Sequence, residues 1–214
     1  MRYDLVIFDN DGVLVDSEPI SNTILAQYLT ELGHPTTYEE SLRDYMGAAV
    51  HRVHDLVRER TGQELPADFD RNLHQRVFSA FERELTAVPG TEDVLAKLTA
   101  DGIAYCVASS GSHERIRVGH RTTGLDEWFE EEWIFSAEDV GRGKPAPDLF
   151  LHAAAQMGVH PDRCAVVEDS PLGVEAARAA GMDVYAFTSM MPSERLVGAN
   201  AYFFDMGQLL ELLR

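Results

Sequence analysis

Short apolar runs rich in valine, isoleucine and aromatic residues recur along most of the chain. Helical patterns of apolar residues fill most of the intervals, and several of these patterns stop at a glycine, a residue that commonly ends helices. Six runs are predicted as strands: Leu5–Phe8, Ile103–Ala108, Trp133–Phe135, Cys164–Val167, Val184–Phe187 and Ala201–Phe204. Strands that alternate with helices predict an α/β core, in which a parallel sheet has helices on both faces.

The segment from residue 16 to residue 85 departs from this alternation, because it has helical periodicity and no convincing strand. Three apolar stripes occupy it. The first ends at Gly33, the second ends at Gly62, and the third follows Pro66, which we place in the first turn of its helix. We therefore predict an α/β core domain from residues 1–15 and 86–214, and an inserted all-helical cap domain from residues 16–85.

Polar residues stand where several of the predicted strands end. Asp9-Asn10-Asp11-Gly12 follows the first strand, Ser109-Ser110-Gly111-Ser112 the second, and Glu168-Asp169-Ser170 the fourth, while Lys144 precedes a later helix. Alone, each has an ordinary interpretation as a turn or a helix cap. Because the carboxyl ends of parallel strands meet at one edge of a sheet, where ligands bind, we expect these groups to come together.

Several carboxylates at one sheet edge repel one another unless a divalent cation neutralises them. Carboxylate oxygens with a backbone carbonyl and waters suit Mg²⁺, which keeps positions open for a phosphate oxygen. A calcium loop is the alternative interpretation of Asp9-Asn10-Asp11-Gly12, but the further acidic ligands do not follow at the required spacing. The pattern favours a magnesium site that handles phosphate.

These motifs, in this order, resemble the haloacid dehalogenase superfamily. The run Phe8–Glu18 matches its first motif, and the helical segment that follows matches the small cap of one subgroup, which contains phosphatases and β-phosphoglucomutase. The resemblance covers essentially the whole chain. It implies a Rossmann-like core, Mg²⁺ as the cofactor, and hydrolysis of a phosphomonoester as the reaction.

The resemblance also implies a role for each matched residue. Asp9 would attack phosphorus to form an aspartyl-phosphate, and Asp11 would protonate the leaving oxygen and later deprotonate water. Ser109 would bind the transferring phosphoryl group, and Lys144 would balance charge between that group and Asp9. The implied metal ligands are Asp9, Asp11 through its main-chain carbonyl, Glu168 and Asp169.

The substrate is less defined than the reaction. The loop between cap helices that contains Gly47 is where relatives select substrates, and the substrate-binding candidates are Ser110, Gly47, Arg43, His51 and Arg76. For the arginines the competing interpretation is a surface ion pair of little energetic value. We expect a small phosphorylated metabolite, such as a sugar phosphate.

A phosphomutase of the β-phosphoglucomutase type is the main alternative, because its core motifs are the same. Ser21 stands where that enzyme has a histidine, and the cap contains no lysine, which favours a phosphatase. The lysine-free cap also disfavours phosphonate hydrolysis, and Asp11 with Asp169 disfavours a carbon–halogen hydrolase. An alternative of another class is a catalytically inactive binding or regulatory protein that keeps the fold.

The chain has 36 acidic and 18 basic residues and a formal charge of -18. This charge disfavours nucleic acid and anionic membranes as partners, so an anionic substrate requires a local cationic pocket. The apolar runs are too short for a signal peptide or a membrane span, and Cys106 and Cys164 are expected as buried thiols. We expect a cytoplasmic protein for which a monomer suffices, while a homodimer stays open.

Overall fold

The computed structural model describes residues 2–46 and 50–214, which form two compact units. One unit comprises the residues up to Asp16 together with Thr86–Arg214, and the other comprises Ser17–Leu85. No helix within the described ranges is both long and apolar enough to cross a membrane.

The larger unit is built on one parallel sheet of six strands in the order β3-β2-β1-β4-β5-β6. The strands are β1 (Leu5–Phe8), β2 (Ala104–Ser109), β3 (Ile134–Ser136), β4 (Cys164–Glu168), β5 (Asp183–Phe187) and β6 (Ala201–Phe203). The helices of this unit are α5 (Thr91–Ala100), α6 (His113–Thr123), α7 (Asp148–Gln156), α8 (Pro171–Ala179) and α9 (Met206–Leu212). The predicted α/β class and Rossmann-like fold are confirmed.

Burial explains why the strands are continuous apolar runs and do not alternate apolar with polar residues. Every residue of β1 and of β4 is buried, as expected for strands of a parallel sheet that is covered on both faces. The helices before β2, β4 and β5 are followed by Gly102, Gly158 and Gly181, all with positive φ. Glycine therefore ends these helices as the sequence predicts.

Strand order determines where a site can form. The chain leaves β1 for β2 on one side and later returns to β4 on the other, so the order of strands reverses around β1. In open α/β sheets, the carboxyl ends of the strands at such a reversal border a crevice that binds ligands. The segments after β1, β2 and β4 lie at this edge.

Over its described residues, 17–46 and 50–85, the smaller unit contains four helices: α1 (Glu18–Glu31), α2 (Tyr38–Tyr45), α3 (His51–Thr61) and α4 (Phe69–Glu84). Of these, α2 has no counterpart among the three predicted stripes. Its start is defined by a capping box in which the Thr37 hydroxyl accepts from Glu40 N and the Glu40 carboxylate accepts from Thr37 N. This polar signal, and not an apolar stripe, identifies the helix.

The assignment of Pro66 to the first turn of the third predicted helix is wrong. The helix α4 begins at Phe69, after Asp68, and the Pro66 carbonyl accepts from Phe69 N at 2.9 Å. Pro66 therefore belongs to a turn that precedes the helix. Proline is tolerated in a turn and in the first turn of a helix, because the backbone N–H that it lacks makes no required hydrogen bond in either place. The sequence alone therefore does not distinguish the two positions.

The first apolar stripe is also only partly buried. Ile20 and Ile24 are half-buried within α1, whereas the polar Asn22 is buried. Asn22 accepts from Ser41 Oγ at 2.9 Å and donates to the Glu18 carbonyl, so the contact of α1 with α2 includes a satisfied polar pair.

Candidate active site

The loop after β1 places two aspartates just beyond the strand. The Asp9 N–H donates to the Val167 carbonyl at 2.9 Å, which extends the β1–β4 pairing by one residue. The Asn10 carbonyl then accepts from three successive amides, those of Val13, Leu14 and Val15. This tight loop holds Asp9 and Asp11 at the carboxyl edge of the sheet.

Lys144 reaches this edge from the segment that precedes α7. Its Nζ donates to Asp9 Oδ1 at 2.8 Å and to Glu168 Oε1 at 2.6 Å, and its side chain is 4% exposed. The same Nζ lies 4.9 Å from the centroid of the Phe150 ring. A compact ammonium group thus bridges two carboxylates in a nearly dry environment, where their attraction is strong.

The electrostatics of this cluster follow from its burial. Burial is the largest influence on Asp9 and raises its pKa to about 7; Lys144 opposes the rise, and Glu168 and Asp11 add to it. Burial alone would lower the pKa of Lys144, but Asp9 and Glu168 together raise it, so the ammonium group stays charged. One ammonium group does not compensate all of the nearby carboxylates.

Three of those carboxylates form a group that suits a metal ion. Asp9, Glu168 and Asp169 each offer an oxygen, and these oxygens all lie within 4.8 Å of one another. Oxygen donors with excess negative charge fit a hard divalent cation such as Mg²⁺. The carboxylate of Asp11 lies outside this group and contacts an arginine instead.

Two glycines make room for these acidic side chains. A Cβ at Gly173, in the first turns of α8, would lie 1.7 Å from Glu168 Oε1. A Cβ at Gly12 would lie 2.0 Å from Asp169 Oδ2, and Gly12 also has a φ of 78°, which disfavours other residues. Any side chain at either position would displace a carboxylate of the cluster.

The Ser109 side chain is buried at the end of β2, and its Oγ accepts from Gly111 N at 3.0 Å. This bond uses the oxygen as an acceptor and leaves the hydroxyl hydrogen to donate to a ligand. The adjacent Ser110 is exposed. The structure therefore brings Ser109 to the same sheet edge as Asp9 and Lys144, as predicted.

Sequence reasoning missed two residues beside the loop that contains Asn10 and Asp11. Arg115 forms an ion pair with the Asp11 carboxylate, with Nη2 2.6 Å from Oδ1. The buried His120 lies with Nε2 3.0 Å from Asn10 Oδ1. Arg115 and His120 both belong to α6, whose residues follow no recognisable motif, so only the packing of α6 on the loop reveals them.

The remaining substrate-binding candidates belong to the smaller unit. Arg43 pairs with Asp44 at 2.9 Å, and Arg76 pairs with Glu31 at 2.7 Å while its guanidinium lies 4.2 Å from the Tyr28 ring centroid. His51 is exposed at the start of α3. Gly47 lies outside the described residues. The roles of these residues in substrate binding stay predictions.

Comparison with known proteins agrees with this geometry. The profile of the haloacid dehalogenase-like hydrolases matches residues 3–181. The chain belongs to this family. It is 30% identical to 6-phosphogluconate phosphatase of Escherichia coli over 99% of this chain and 95% of that protein. It is 34% identical to hexitol phosphatase A of the same organism over 98% of this chain and 94% of that protein.

Solved structures give the same result. A conserved haloacid dehalogenase-like protein from Agrobacterium tumefaciens superimposes with a TM-score of 0.90 and 37% identity, over 99% of this chain and 97% of that one. A hydrolase of the family from Deinococcus radiodurans, solved with bound phosphate and sodium, superimposes with a TM-score of 0.85 and 31% identity, over 99% and 95% of the two chains.

The predicted membership of the haloacid dehalogenase superfamily is confirmed. Several matched relatives are phosphatases named for phosphorylated carbohydrates, and others are named for FMN and pseudouridine 5'-phosphate. The matches to the 6-phosphogluconate and hexitol phosphatases span nearly the whole of each chain. The protein is a phosphoric monoester hydrolase.

Proposed function

We propose that the protein is a Mg²⁺-dependent phosphatase that hydrolyses a small sugar phosphate through an aspartyl-phosphate on Asp9. The observation that carries the proposal is the buried bridge of Lys144 between Asp9 and Glu168, at 2.8 and 2.6 Å, beside a group of three carboxylates. This arrangement keeps a carboxylate nucleophile next to positive charge, which attack on a phosphate dianion requires.

In the first step, a carboxylate oxygen of Asp9 forms a bond to phosphorus, and the bond from phosphorus to the ester oxygen breaks. Asp11 donates a proton to that departing oxygen, so the alcohol leaves in neutral form. Ser109 donates its hydroxyl hydrogen to an oxygen of the transferring phosphoryl group. Lys144 offsets the repulsion between the two negative reactants.

In the second step, Asp11 accepts a proton from water as the water oxygen attacks phosphorus. The bond between phosphorus and the Asp9 oxygen breaks, which releases inorganic phosphate and restores both aspartates. Asp9, Glu168, Asp169 and the Asp11 carbonyl would hold the metal. When bound, Mg²⁺ supplies charge neutralisation and polarises the phosphoryl oxygens.

The substrate class rests on the relatives and on charge. Several of the similar phosphatases are named for phosphorylated carbohydrates, among them 6-phosphogluconate, hexitol and fructose-1-phosphate phosphatases, and two others are named for FMN and pseudouridine 5'-phosphate. A net charge of -18 makes a polyanionic partner unfavourable, whereas a small phosphate ester can be neutralised locally. Both observations favour a phosphorylated carbohydrate of low molecular mass. We propose Ser110 and the segment around Gly47 as contacts for its leaving group.

We place the reaction in the cytoplasm. Cys106 and Cys164 are free and buried thiols, which is typical of a reducing compartment.

The proposal is tested by screening the protein against a panel of phosphorylated metabolites, with Mg²⁺ and after chelation. We expect release of inorganic phosphate from sugar phosphates, loss of turnover on chelation and its recovery with added Mg²⁺. The Asp9→Asn variant should lose activity by roughly 10³-fold or more, because an amide is a poor nucleophile. Unchanged turnover by Asp9→Asn would contradict the proposal and favour an inactive or differently acting protein.

The phosphomutase alternative is separated by product analysis. A mutase converts one sugar phosphate into its isomer without net release of phosphate, whereas the proposed phosphatase releases one phosphate for each substrate consumed. Accumulation of an isomeric sugar phosphate with negligible free phosphate would support the mutase.

A further inference from the structure

The Asp11 carboxylate forms an ion pair with Arg115, a residue that has no role in the reaction described above. Arg115 donates from Nη2 to Asp11 Oδ1 at 2.6 Å, and from Nε to Oδ1 at 3.1 Å and to Oδ2 at 3.2 Å. The side chains of Arg115 and Asp11 are 21% and 20% exposed. A planar guanidinium that contacts both oxygens restricts the rotation of the carboxylate, which a single hydrogen bond does not.

The position of Arg115 is itself determined by the loop after β2. The Ser112 hydroxyl accepts from Arg115 N at 3.2 Å and so caps the start of α6. The stem of Arg115 then passes against Gly111, where an added Cβ would lie 3.0 Å from Arg115 Cδ and 3.4 Å from Ser109 Oγ. The glycine therefore leaves the space through which the guanidinium reaches Asp11.

A second residue of α6 acts on Asp11 through Asn10. His120 Nε2 lies 3.0 Å from Asn10 Oδ1, and both side chains are buried. Because an amide oxygen only accepts, Nε2 carries the hydrogen, and this bond turns the Asn10 amide nitrogen towards Asp11. The resulting contact from Asn10 Nδ2 to Asp11 Oδ2 is long, at 3.5 Å. It is weaker than the contact made by Arg115.

We propose that Arg115 and His120 are positioning residues that hold the Asp11 carboxylate where it exchanges protons with the leaving oxygen and with water. Arg115 acts directly, and His120 acts through Asn10. The proposal rests on the proposed function, because it assigns a partner to the proton-transferring group. Proton transfer requires hydrogen-bond reach, and a partly exposed aspartate without restraint spends much of its time in other rotamers.

The test uses two esters that differ in their need for an acid. The p-nitrophenolate anion leaves without a proton, whereas the alkoxide of a sugar phosphate does not. For Arg115→Met, which keeps the length of the stem, we expect kcat/KM to fall at least about 10-fold more on the sugar phosphate than on p-nitrophenyl phosphate. Arg115→Lys should recover only part of the kcat/KM lost on the sugar phosphate, because a single ammonium group cannot donate to both carboxylate oxygens as a guanidinium does.

Three further variants test how Asp11 is held. Gly111→Ala keeps the guanidinium but obstructs the aliphatic part of the Arg115 side chain, so it should reproduce the selective loss on the sugar phosphate. His120→Phe keeps a ring beside Phe129, whose centroid lies 5.2 Å away, but removes the donor to Asn10. His120→Phe should show a smaller selective loss, and His120→Gln, which retains an N–H donor, should restore activity on the sugar phosphate.

Equal losses on the two esters would overturn the proposal, because they would mean that Arg115 binds the phosphoryl group or only supports the fold. Unchanged kinetics for Arg115→Met would overturn it as well. Calorimetric titration with Mg²⁺ should give the same affinity for Arg115→Met and the unaltered protein. Failure of the proposed function is a separate result: the unaltered protein would hydrolyse neither ester, or Asp9→Asn would hydrolyse both.

Discussion

Two sets of ion pairs, one in each unit of this protein, differ in burial. In the larger unit, Lys144 is 4% exposed and contacts Asp9 and Glu168. In the smaller unit, Arg58 and Arg76 form pairs on the surface: Arg58 and Glu64 are 54% and 65% exposed, and Arg76 and Glu31 are 42% and 54% exposed. The charges of these two sets therefore have different physical consequences.

A buried ion pair must overcome the cost of removing both charges from water, so it is weak evidence of a stabilising role. An exposed pair costs little and contributes little. The burial of Lys144 with two carboxylates is thus best explained by chemistry, and the exposed arginine pairs of the smaller unit are best explained by solvation of a helical surface. The following predictions test this difference, in order of decreasing effect.

Replacing Lys144 with methionine should have the largest effect. The change leaves Asp9 and Glu168 buried without their counter-charge, so we expect the free energy of unfolding to fall by about 3–5 kcal/mol. Turnover should fall by roughly 10³-fold, or about 4 kcal/mol of transition-state stabilisation. Denaturant unfolding and phosphate release would measure the two effects. Lys144→Arg should not restore turnover, and full activity in Lys144→Met would contradict the electrostatic role.

Gly173→Ala should disturb the acidic cluster without removing any ligand. Its Cβ would lie 1.7 Å from Glu168 Oε1, so the Glu168 carboxylate must move, and overpacking of this kind typically costs about 1–3 kcal/mol. We expect Mg²⁺ affinity, measured by calorimetry, to weaken by about 10-fold. Gly141→Ala is the matched control, because a Cβ there meets nothing within 4 Å. Equal Mg²⁺ affinity in both variants would show that Glu168 does not support the metal.

The buried His120 should make stability depend on pH. Burial lowers its pKa from 6.5 to about 4, against the opposing influence of Asp126 and Asp11, so the unfolded chain binds the proton first as pH falls. The stabilisation from neutral His120 is complete above about pH 6.5 and is lost towards pH 4. Between pH 7.5 and pH 5 the loss should be about 2 kcal/mol.

The measurement is the difference in unfolding free energy between the unaltered protein and His120→Gln across this range. Glutamine does not titrate, so its variant should lose less stability on acidification. Parallel pH profiles for the two proteins would show that the pKa of His120 is the same in the folded and unfolded states, and would contradict the effect of burial.

Arg76→Ala should have the smallest effect. The exposed pair with Glu31 and the contact with the Tyr28 ring together should contribute under about 1 kcal/mol, so thermal unfolding should shift only slightly. We expect kcat/KM on sugar phosphates to change by less than about 3-fold. A large rise in KM with unchanged stability would instead assign Arg76 to the substrate.

The positions of three candidate site motifs were predictable because each is a short run at the end of a strand. Asp9 follows β1 directly, Ser109 ends β2 and Glu168 ends β4. A parallel sheet brings such ends to one edge whatever the details of packing. The glycines that end several core helices were equally predictable from the sequence, because the positive φ at the end of such a helix is a requirement on a single residue.

Other features were not visible in the same way. The helix α2 was not predicted because it has no apolar stripe, although its capping box at Thr37 and Glu40 is a local signal. The start of α4 was misplaced because Pro66 suits a turn and a first helical turn equally. Both differences fall in the smaller unit, where helical periodicity defines elements but not their ends.

The sequence by itself determined the α/β class, the family and the candidate site residues at the ends of strands, because strand periodicity and short motifs are properties of neighbouring residues. Only the tertiary structure decided that Lys144 bridges Asp9 and Glu168, and that α6 presents Arg115 to Asp11. These contacts join residues far apart in the chain. Their distances depend on how helices pack on the sheet, and no local pattern encodes that packing.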